Sequence, residues 1–395
     1  MTKLEHSWAR NVTRRNAFRA LAGFFAGSPL LRSQRDPFRS HNRVPGLEEL
    51  VDAFDFEAVA FAKLPRAAYD YTAYGASSEF TLRRNREAFD WVKLVPRAVA
   101  DLSGFQTATE ILGTKMAFPI LVSPTAAQEA LHPGGEMAMH QGATEAANTP
   151  MIVSNVSSFP FEKVAEAATG PLWFQLYPKP ELDANREILE KVQAAGCRAV
   201  VVTVDQQTLY YERALHGRNL TAGPVRRTAR RTPPRNAYGI EDHRLWYEWK
   251  FFDQIRPFVK VPLLIKGILT AEDARLSIDH GLDGVYVSNH GGRSLDYGPS
   301  TLEVLPEIAE AVQGRVPILF DSGIRRGADI LKALALGASA VCLGRVPRWG
   351  LASYGAPGVQ RVLEIVQNEF VQAMADTGRP ALASIDQALV RTDFP

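Results

Sequence analysis

Cysteine is nearly missing from this sequence. The 395 residues include two, Cys197 and Cys342, each in an apolar, strand-like setting. Neither a disulfide framework nor a zinc site is therefore expected, and no metal site is proposed. Long hydrophobic runs are lacking too, since no stretch reaches the roughly 18 apolar residues that a membrane-spanning helix requires. Nor does one sign of charge dominate. The 45 Lys and Arg against 43 Asp and Glu leave a formal net charge of +2, too small to point to nucleic acid. The local basic excess in "RRTARRTPPR" (226–235) reads as a solvated loop. What is present is 46% apolar and 22% charged residues, enough for a sizeable buried core.

The N-terminus differs from the rest. "TRRNAFRALAGFFAGSPLL" (13–31) joins paired arginines to a short, mildly hydrophobic stretch, then small residues at Ala26 and Ser28. That is the pattern of a twin-arginine export signal; an amphipathic helix or basic tail is the alternative. The expected organisation is a signal or tail over residues 1–35, a linker over 36–47 and one catalytic barrel over 48–395. An export signal implies a periplasmic or exported protein, and its absence a cytoplasmic one.

From residue 48 the chain alternates short apolar runs with helical patterns. The runs are "FPILVSPTA" (118–126), "PMIVSN" (150–155), "PLWFQLY" (171–177), "AVVVTVD" (199–205), "VPLLIKG" (261–267), "GVYVSNH" (284–290), "VPILFDSG" (316–323) and "AVCLGR" (340–345). Near-continuous apolar strands suit a parallel sheet buried on both faces. Segments such as 270–281 and 325–338 carry apolar residues at helical spacing and end near glycine. Eight such units predict an α/β fold, the (β/α)8 TIM barrel, with a helical lead-in over 48–117. About 55 residues separate the fourth and fifth strands, a long loop that is either a lid or an excursion.

Polar residues collect at the strands' C-terminal ends: Thr125, Ser154, Gln175, Tyr177, Thr203, Asp205, Lys266, Ser288, His290, Asp321 and Arg345. TIM barrels place their chemistry at that end, so these side chains are expected around one mouth. "DSGIRRG" (321–327), followed by Gly344 and Arg345, has the glycines, arginines and helix start of a phosphate cradle. Lys266 is either a Schiff-base nucleophile or a fixed cation facing a cofactor. Uncharged Thr125, Ser154, Gln175 and Thr203 suit reading the edge of a heterocycle. Phosphate cradle, edge readers and cation together point to flavin mononucleotide, FMN. Asp205 beside His290 would orient the imidazole and stabilise its protonated form, as a base requires. Among the other histidines, His132 reads as a turn residue, and His140, His216, His243 and His280 as surface or helix positions.

These motifs in order resemble the FMN-dependent α-hydroxy acid oxidase and dehydrogenase family, over residue 48 to the C-terminus. The matching stretches include "KLPRAAYDYTAYGA" (63–76), "SPTAAQ" (123–128), "FQLY" (174–177), "TVD" (203–205), "IKGILTAEDA" (265–274) and "SNHGGRSLD" (288–296). The resemblance implies oxidation of a 2-hydroxy acid to a 2-oxo acid, with His290 as base and Asp205 its partner. Arg293 would hold the substrate carboxylate, with Tyr71 assisting, and Tyr177 would contact the substrate hydroxyl. Lys266 would lie at the flavin N1–O2 edge. Pro124, Thr125, Ala126, Ser154, Gln175, Thr203 and Ser288 would line the isoalloxazine and ribityl chain. Asp321, Ser322, Gly323, Arg325, Gly344 and Arg345 would hold the ribityl and phosphate end. Oxygen, or a quinone or other carrier, would take the electrons, and a homo-oligomer, tetramer or octamer, is implied.

Three positions depart from that pattern. Tyr211 stands where a second substrate arginine is expected, with Arg213 two residues on. Either Arg213 reaches in, or the site has one positive charge fewer and takes a larger or peptide-like substrate. A flavin isomerase is the other alternative. Ser322 replaces a usual glycine, and "SNVSSFP" (154–160) alters a wall of the substrate pocket.

Overall fold

Each of the eight apolar runs forms a parallel strand, and the eight close into a barrel in chain order. The computed structural model describes residues 43–205 and 247–395. The N-terminal arginine pair, Tyr211, Arg213, His216, "RRTARRTPPR" and His243 lie outside the described residues. The chain falls into two compact units, residues 1–50 and 51–395. Of the first, residues 43–50 are described, with a single 3-10 turn at Leu47–Glu49.

The barrel strands are β1 (Ile120–Val122), β2 (Met151–Ser154), β3 (Leu172–Leu176), β4 (Val200–Thr203), β5 (Leu263–Ile268), β6 (Gly284–Val287), β7 (Ile318–Phe320) and β8 (Ala340–Leu343). β8 closes on β1 through Val341↔Ile120, Cys342↔Leu121 and Leu343↔Val122. Each strand contributes to a single buried cluster: Leu121, Ile152, Trp173, Val201, Leu264, Tyr286 and Leu319, with both Ala340 and Cys342 from β8. This is the barrel interior, a packed core and not a pore. Ile111 and Met116 from a two-stranded hairpin (109–116) join it. Trp173 Nε1 donates to Thr114 Oγ1 of that hairpin at 3.0 Å, so the indole is buried with its polar atom satisfied. Both cysteines are free and buried, and burial pushes the Cys197 thiol up to about 12.

The lead-in folds into α1 (Ala53–Lys63), α2 (Arg66–Ala73) and α3 (Phe80–Glu87). Asp52 starts α1 by accepting the N–H groups of Phe54 and Asp55 at 2.8 and 3.1 Å. The barrel helices are α4 (Gly135–Glu145), α5 (Phe161–Glu166), α6 (Leu182–Ala194), α7 (Lys250–Ile255), α8 (Ala271–Asp279), α9 (Thr301–Val312), α10 (Gly327–Ala335) and α11 (Arg345–Asp376). The expected helices at 270–281 and 325–338 are thus α8 and α10. α11 bends at Tyr354 and Gly355 and packs on α1, α4 and α10. At the α4–α11 crossing, a Cβ on Gly142 would stand 2.3 Å from the Ala356 carbonyl oxygen, so only glycine lets the two backbones meet. Among the described residues, no helix is long and apolar enough to cross a membrane.

Candidate functional site

Strand register brings the uncharged readers together. Ser154 on β2 lies opposite Gln175 on β3, and Thr203 on β4 opposite Lys266 on β5. Ser154 Oγ donates to Gln175 Oε1 at 2.7 Å, which fixes the amide and turns its NH2 away from Ser154. Gln175 Nε2 and Thr203 Oγ1 are buried without a protein partner. An orphaned buried donor costs about 1–3 kcal/mol, so two on the neighbouring strands β3 and β4 mark a surface shaped for a polar ligand edge. Both fit the N- and O-rich rim of an isoalloxazine. Pro124, Thr125 and Ala126 follow β1 as a half-buried segment, with the Thr125 carbonyl and hydroxyl accepting from Gln128 at 3.2 and 3.0 Å.

Beside them stands a continuous polar chain. Tyr177 OH is 3.3 Å from His290 Nε2, His290 Nδ1 is 2.8 Å from Asp205 Oδ1, and Lys266 Nζ donates to Asp205 Oδ2 at 3.4 Å. Burial would raise the Asp205 carboxyl, but the neighbouring His290 and Lys266 outweigh it and hold it below its ordinary value. Burial lowers the His290 imidazole; Asp205 draws it back up, while Lys266 and Arg293 push it down. The net direction is downward, which favours the neutral imidazole with Nε2 available as a base. Its Nδ1–H is held by a carboxylate that would stabilise the imidazolium.

The backbone that presents His290 is unusual. His290, Gly291 and Gly292 all have left-handed φ, at 59°, 67° and 75°. Glycine takes that conformation freely, but a histidine there is strained by roughly 1–2 kcal/mol. Hydrogen bonds hold the turn: His290 N to Ser288 Oγ at 3.1 Å, Gly291 N to Ser322 Oγ at 3.0 Å, and Gly292 N to Asn289 Oδ1 at 3.0 Å. Ser322 itself has φ 85°, so the serine adopts a glycine-like backbone. Its hydroxyl links the turn to Asp321 Oδ1 at 2.8 Å. Asp321 Oδ2 also accepts from Ser123 and Tyr286, at 3.1 and 2.9 Å.

Cations crowd the other flank. Arg293 Nη1 donates to the Tyr71 and Tyr74 carbonyls at 2.7 and 3.0 Å, and its guanidinium lies 5.1 Å from the Tyr71 ring centre. Arg345 reaches Thr72 O, Gly291 O and Tyr74 O. Burial, then Arg293 and Arg325, pushes it down to about 9. The start of α10 is answered inside the protein: Asp329 takes the Arg325 and Arg326 N–H groups, and Glu369 takes that of Gly327. Arg325 places its own Nη1 on Ile324 O at 2.8 Å.

The structure therefore brings Tyr71, Tyr177, Asp205, Lys266, His290 and Arg293 into one linked region with Ser288, Ser322 and Arg345. Sequence reasoning passed over Tyr286 and Ser123, which hold Asp321, and Arg348, one turn beyond Arg345. The spacing "GRVPR" was the available signal for the last of these. His140, expected on a surface or helix, is on α4 but only 2% exposed.

Residues 60–392 match the family described as FMN-dependent dehydrogenase. A peroxisomal (S)-2-hydroxyacid oxidase of Arabidopsis thaliana is 37% identical over 357 residues, which is 88% of this chain and 98% of that one. Glycolate oxidase of Spinacia oleracea is 36% identical over 358 residues, 88% of this chain and 97% of that one. The crystal structure of a mandelate oxidase superposes with a TM-score of 0.76 at 34% identity, covering 87% of this chain and 99% of that one.

Proposed function

The chain belongs to the FMN-dependent dehydrogenase family, and from that premise we propose that it oxidises a 2-hydroxy acid to the 2-oxo acid. The observation that carries this reading is the run Tyr177–His290–Asp205–Lys266 at 3.3, 2.8 and 3.4 Å. FMN, when bound, supplies a two-electron acceptor. Gln175, Thr203, Ser154, Ser288 and the 124–126 segment hold its ring system, with Lys266 as the fixed cation. Asp321, Ser322, Gly323, Arg325, Gly344 and Arg345 hold its ribityl and phosphate end.

Arg293 binds the substrate carboxylate through a charge-assisted bond, and Tyr71 adds a hydrogen bond. His290 Nε2 takes one proton, from the hydroxyl or from the α-carbon, and Asp205 stabilises the imidazolium that results. Tyr177 OH faces the same nitrogen and steadies the substrate oxygen.

The test is an anaerobic screen in which glycolate, lactate, mandelate and long-chain 2-hydroxy acids are added to the yellow holoenzyme. At least one should bleach the flavin, and His290→Ala should abolish bleaching while the protein stays yellow. If none bleaches the wild-type protein, the reading is wrong.

Three further properties complete the proposal. Molecular oxygen is the electron acceptor, as the names of the oxidase relatives suggest, and the protein is a homo-oligomer. The first 35 residues are a twin-arginine-type export signal ahead of a 36–47 linker and the 48–395 barrel. Fractionation of cells expressing Arg14→Lys, Arg15→Lys against the unaltered chain tests that last point.

A further inference from the structure

Arg348 is buried in the first turn of α11, 4% exposed, and no step above uses it. Among the described residues, no carboxylate oxygen lies within ion-pair distance of its guanidinium. Nη1 donates to the Ala126 carbonyl at 2.7 Å and Nη2 to Thr72 Oγ1 at 2.9 Å. Arg348 thus ties the segment after β1 to the end of α2. Its guanidinium carbon is 5.9 Å from the Tyr71 ring centre, and that of Arg293 is 5.1 Å from the same ring. Two guanidinium groups therefore lie close to the ring of the tyrosine assigned to the substrate carboxylate.

A buried cation without a matching anion is costly, and proteins keep one where a ligand completes the charge. The acidic influence on Arg348 is the buried Glu136, whose Oε1 accepts the Gln128 and Ser158 N–H groups at 3.3 and 2.9 Å and whose Oε2 is buried without a hydrogen-bond partner, outside ion-pair distance of the guanidinium. Burial, with the repulsion of Arg293, draws Arg348 down to about 10, partly opposed by Tyr71 and Glu136. Of the other cations, Arg325 and Arg345 serve the phosphate in the proposed function, and Lys266 pairs with Asp205. The anion left for the Tyr71 neighbourhood is the substrate carboxylate.

We propose that Arg348 is the second carboxylate-directing cation of this site, a positioning residue that acts through Tyr71 beside Arg293 and makes the enzyme select anionic 2-hydroxy acids over neutral analogues. It supplies from α11 the charge that Tyr211 does not supply after β4. The inference rests on the 2-hydroxy acid reading given above.

The experiment uses the FMN-loaded protein and compares a 2-hydroxy acid with its uncharged 2-hydroxy amide. It reads kcat/KM, and also Kd from the flavin spectral change on binding the corresponding 2-oxo acid and 2-oxo amide. Arg348→Lys keeps the charge and loses the planar fork; Arg348→Gln keeps a donor and loses the charge. Arg348→Gln should cut the acid-over-amide preference about tenfold or more, through KM and Kd and with little change in kcat. Arg348→Lys should stay within about threefold of wild type. Equal preference in Arg348→Gln and wild type overturns the proposal. So does an equal loss in both variants, because the fork and its packing, not the charge, would then be responsible. If no hydroxy acid reduces the wild-type flavin, the functional reading fails. The ligand Kd values would still decide whether Arg348 selects anions.

Discussion

Asp205 is the residue whose charge the site uses twice, and Asp205→Asn isolates that charge with little change in shape. Oδ1 meets His290 Nδ1 at 2.8 Å, Oδ2 meets Lys266 Nζ at 3.4 Å, and the side chain is 5% exposed. An asparagine has one acceptor oxygen for these two donors and adds two donors of its own. A hydrogen bond to a charged group contributes about 1.5–3 kcal/mol, and imidazolium formation at His290 loses that amount. At about 1.4 kcal/mol per factor of ten, flavin reduction at saturating substrate should slow by about 10- to 150-fold. The pH profile separates this from a general loss of folding. His290 already sits below its ordinary 6.5, and Asp205 is a force raising it. Without that force the imidazole loses its proton at still lower pH, so the acid limb moves down while the plateau falls. Lys266, 3% exposed, is also left as a buried cation, which costs about 3–5 kcal/mol of stability. Anaerobic stopped-flow reduction between pH 4.5 and 8 checks the reasoning. A rate within about threefold of wild type, or an acid limb displaced upward, would refute it.

Two further outcomes concern stability. His140 accepts from Gly170 N at 3.3 Å through Nε2, its Nδ1 is buried without a partner, and burial lowers its pKa from 6.5 to about 4. The folded state then binds fewer protons than the unfolded one, so this contribution is present above about pH 6.5 and is lost as pH falls toward 4, up to about 3 kcal/mol. His140→Gln should flatten the unfolding free energy across that window in urea titrations; parallel pH curves for the two proteins would sink the assignment. Ser322 combines a left-handed φ of 85° with hydrogen bonds to Gly291 N and Asp321 Oδ1. Ser322→Gly exchanges two bonds of about 1 kcal/mol each for relief of roughly 1–2 kcal/mol of strain, and should be close to neutral. Ser322→Ala keeps the strain and loses both bonds, so it should be about 2 kcal/mol less stable; equal urea midpoints for the two variants would contradict the account.

The barrel was legible because buried parallel strands leave near-continuous apolar runs, and all eight runs contain a strand. Their lengths were not. "FPILVSPTA" pairs only over Ile120–Val122, since Pro119 and Pro124 have no N–H to give a ladder. His290, Asp205 and Lys266 were legible because strand ends share one mouth, a rule that needs no distances. Contacts between distant elements carried no such periodic signal. Arg348 reads as an ordinary helix residue until α2 and the segment after β1 fold against it. The start of α10 looked ready for a phosphate because the sequence does not show that Asp329 folds back onto its own first turn and Glu369 arrives from α11.

The charge arrangement also bears on substrate size. A larger or peptide-like substrate was an open alternative because the arginine usual after the fourth strand is replaced by Tyr211. That argument assumes that a missing arginine leaves the carboxylate end one charge short. Arg348, buried against Ala126 O and Thr72 Oγ1 beside Tyr71, removes the assumption, because it restores a cation from a different element. The two arrangements differ in direction, however. An arginine after β4 would approach a carboxylate from the Asp205 side of the mouth, whereas Arg348 stands on the Tyr71 side with Arg293. Both positive charges then pull a carboxylate toward α2. The selectivity expected from two cations on that side is for anionic 2-hydroxy acids over neutral analogues.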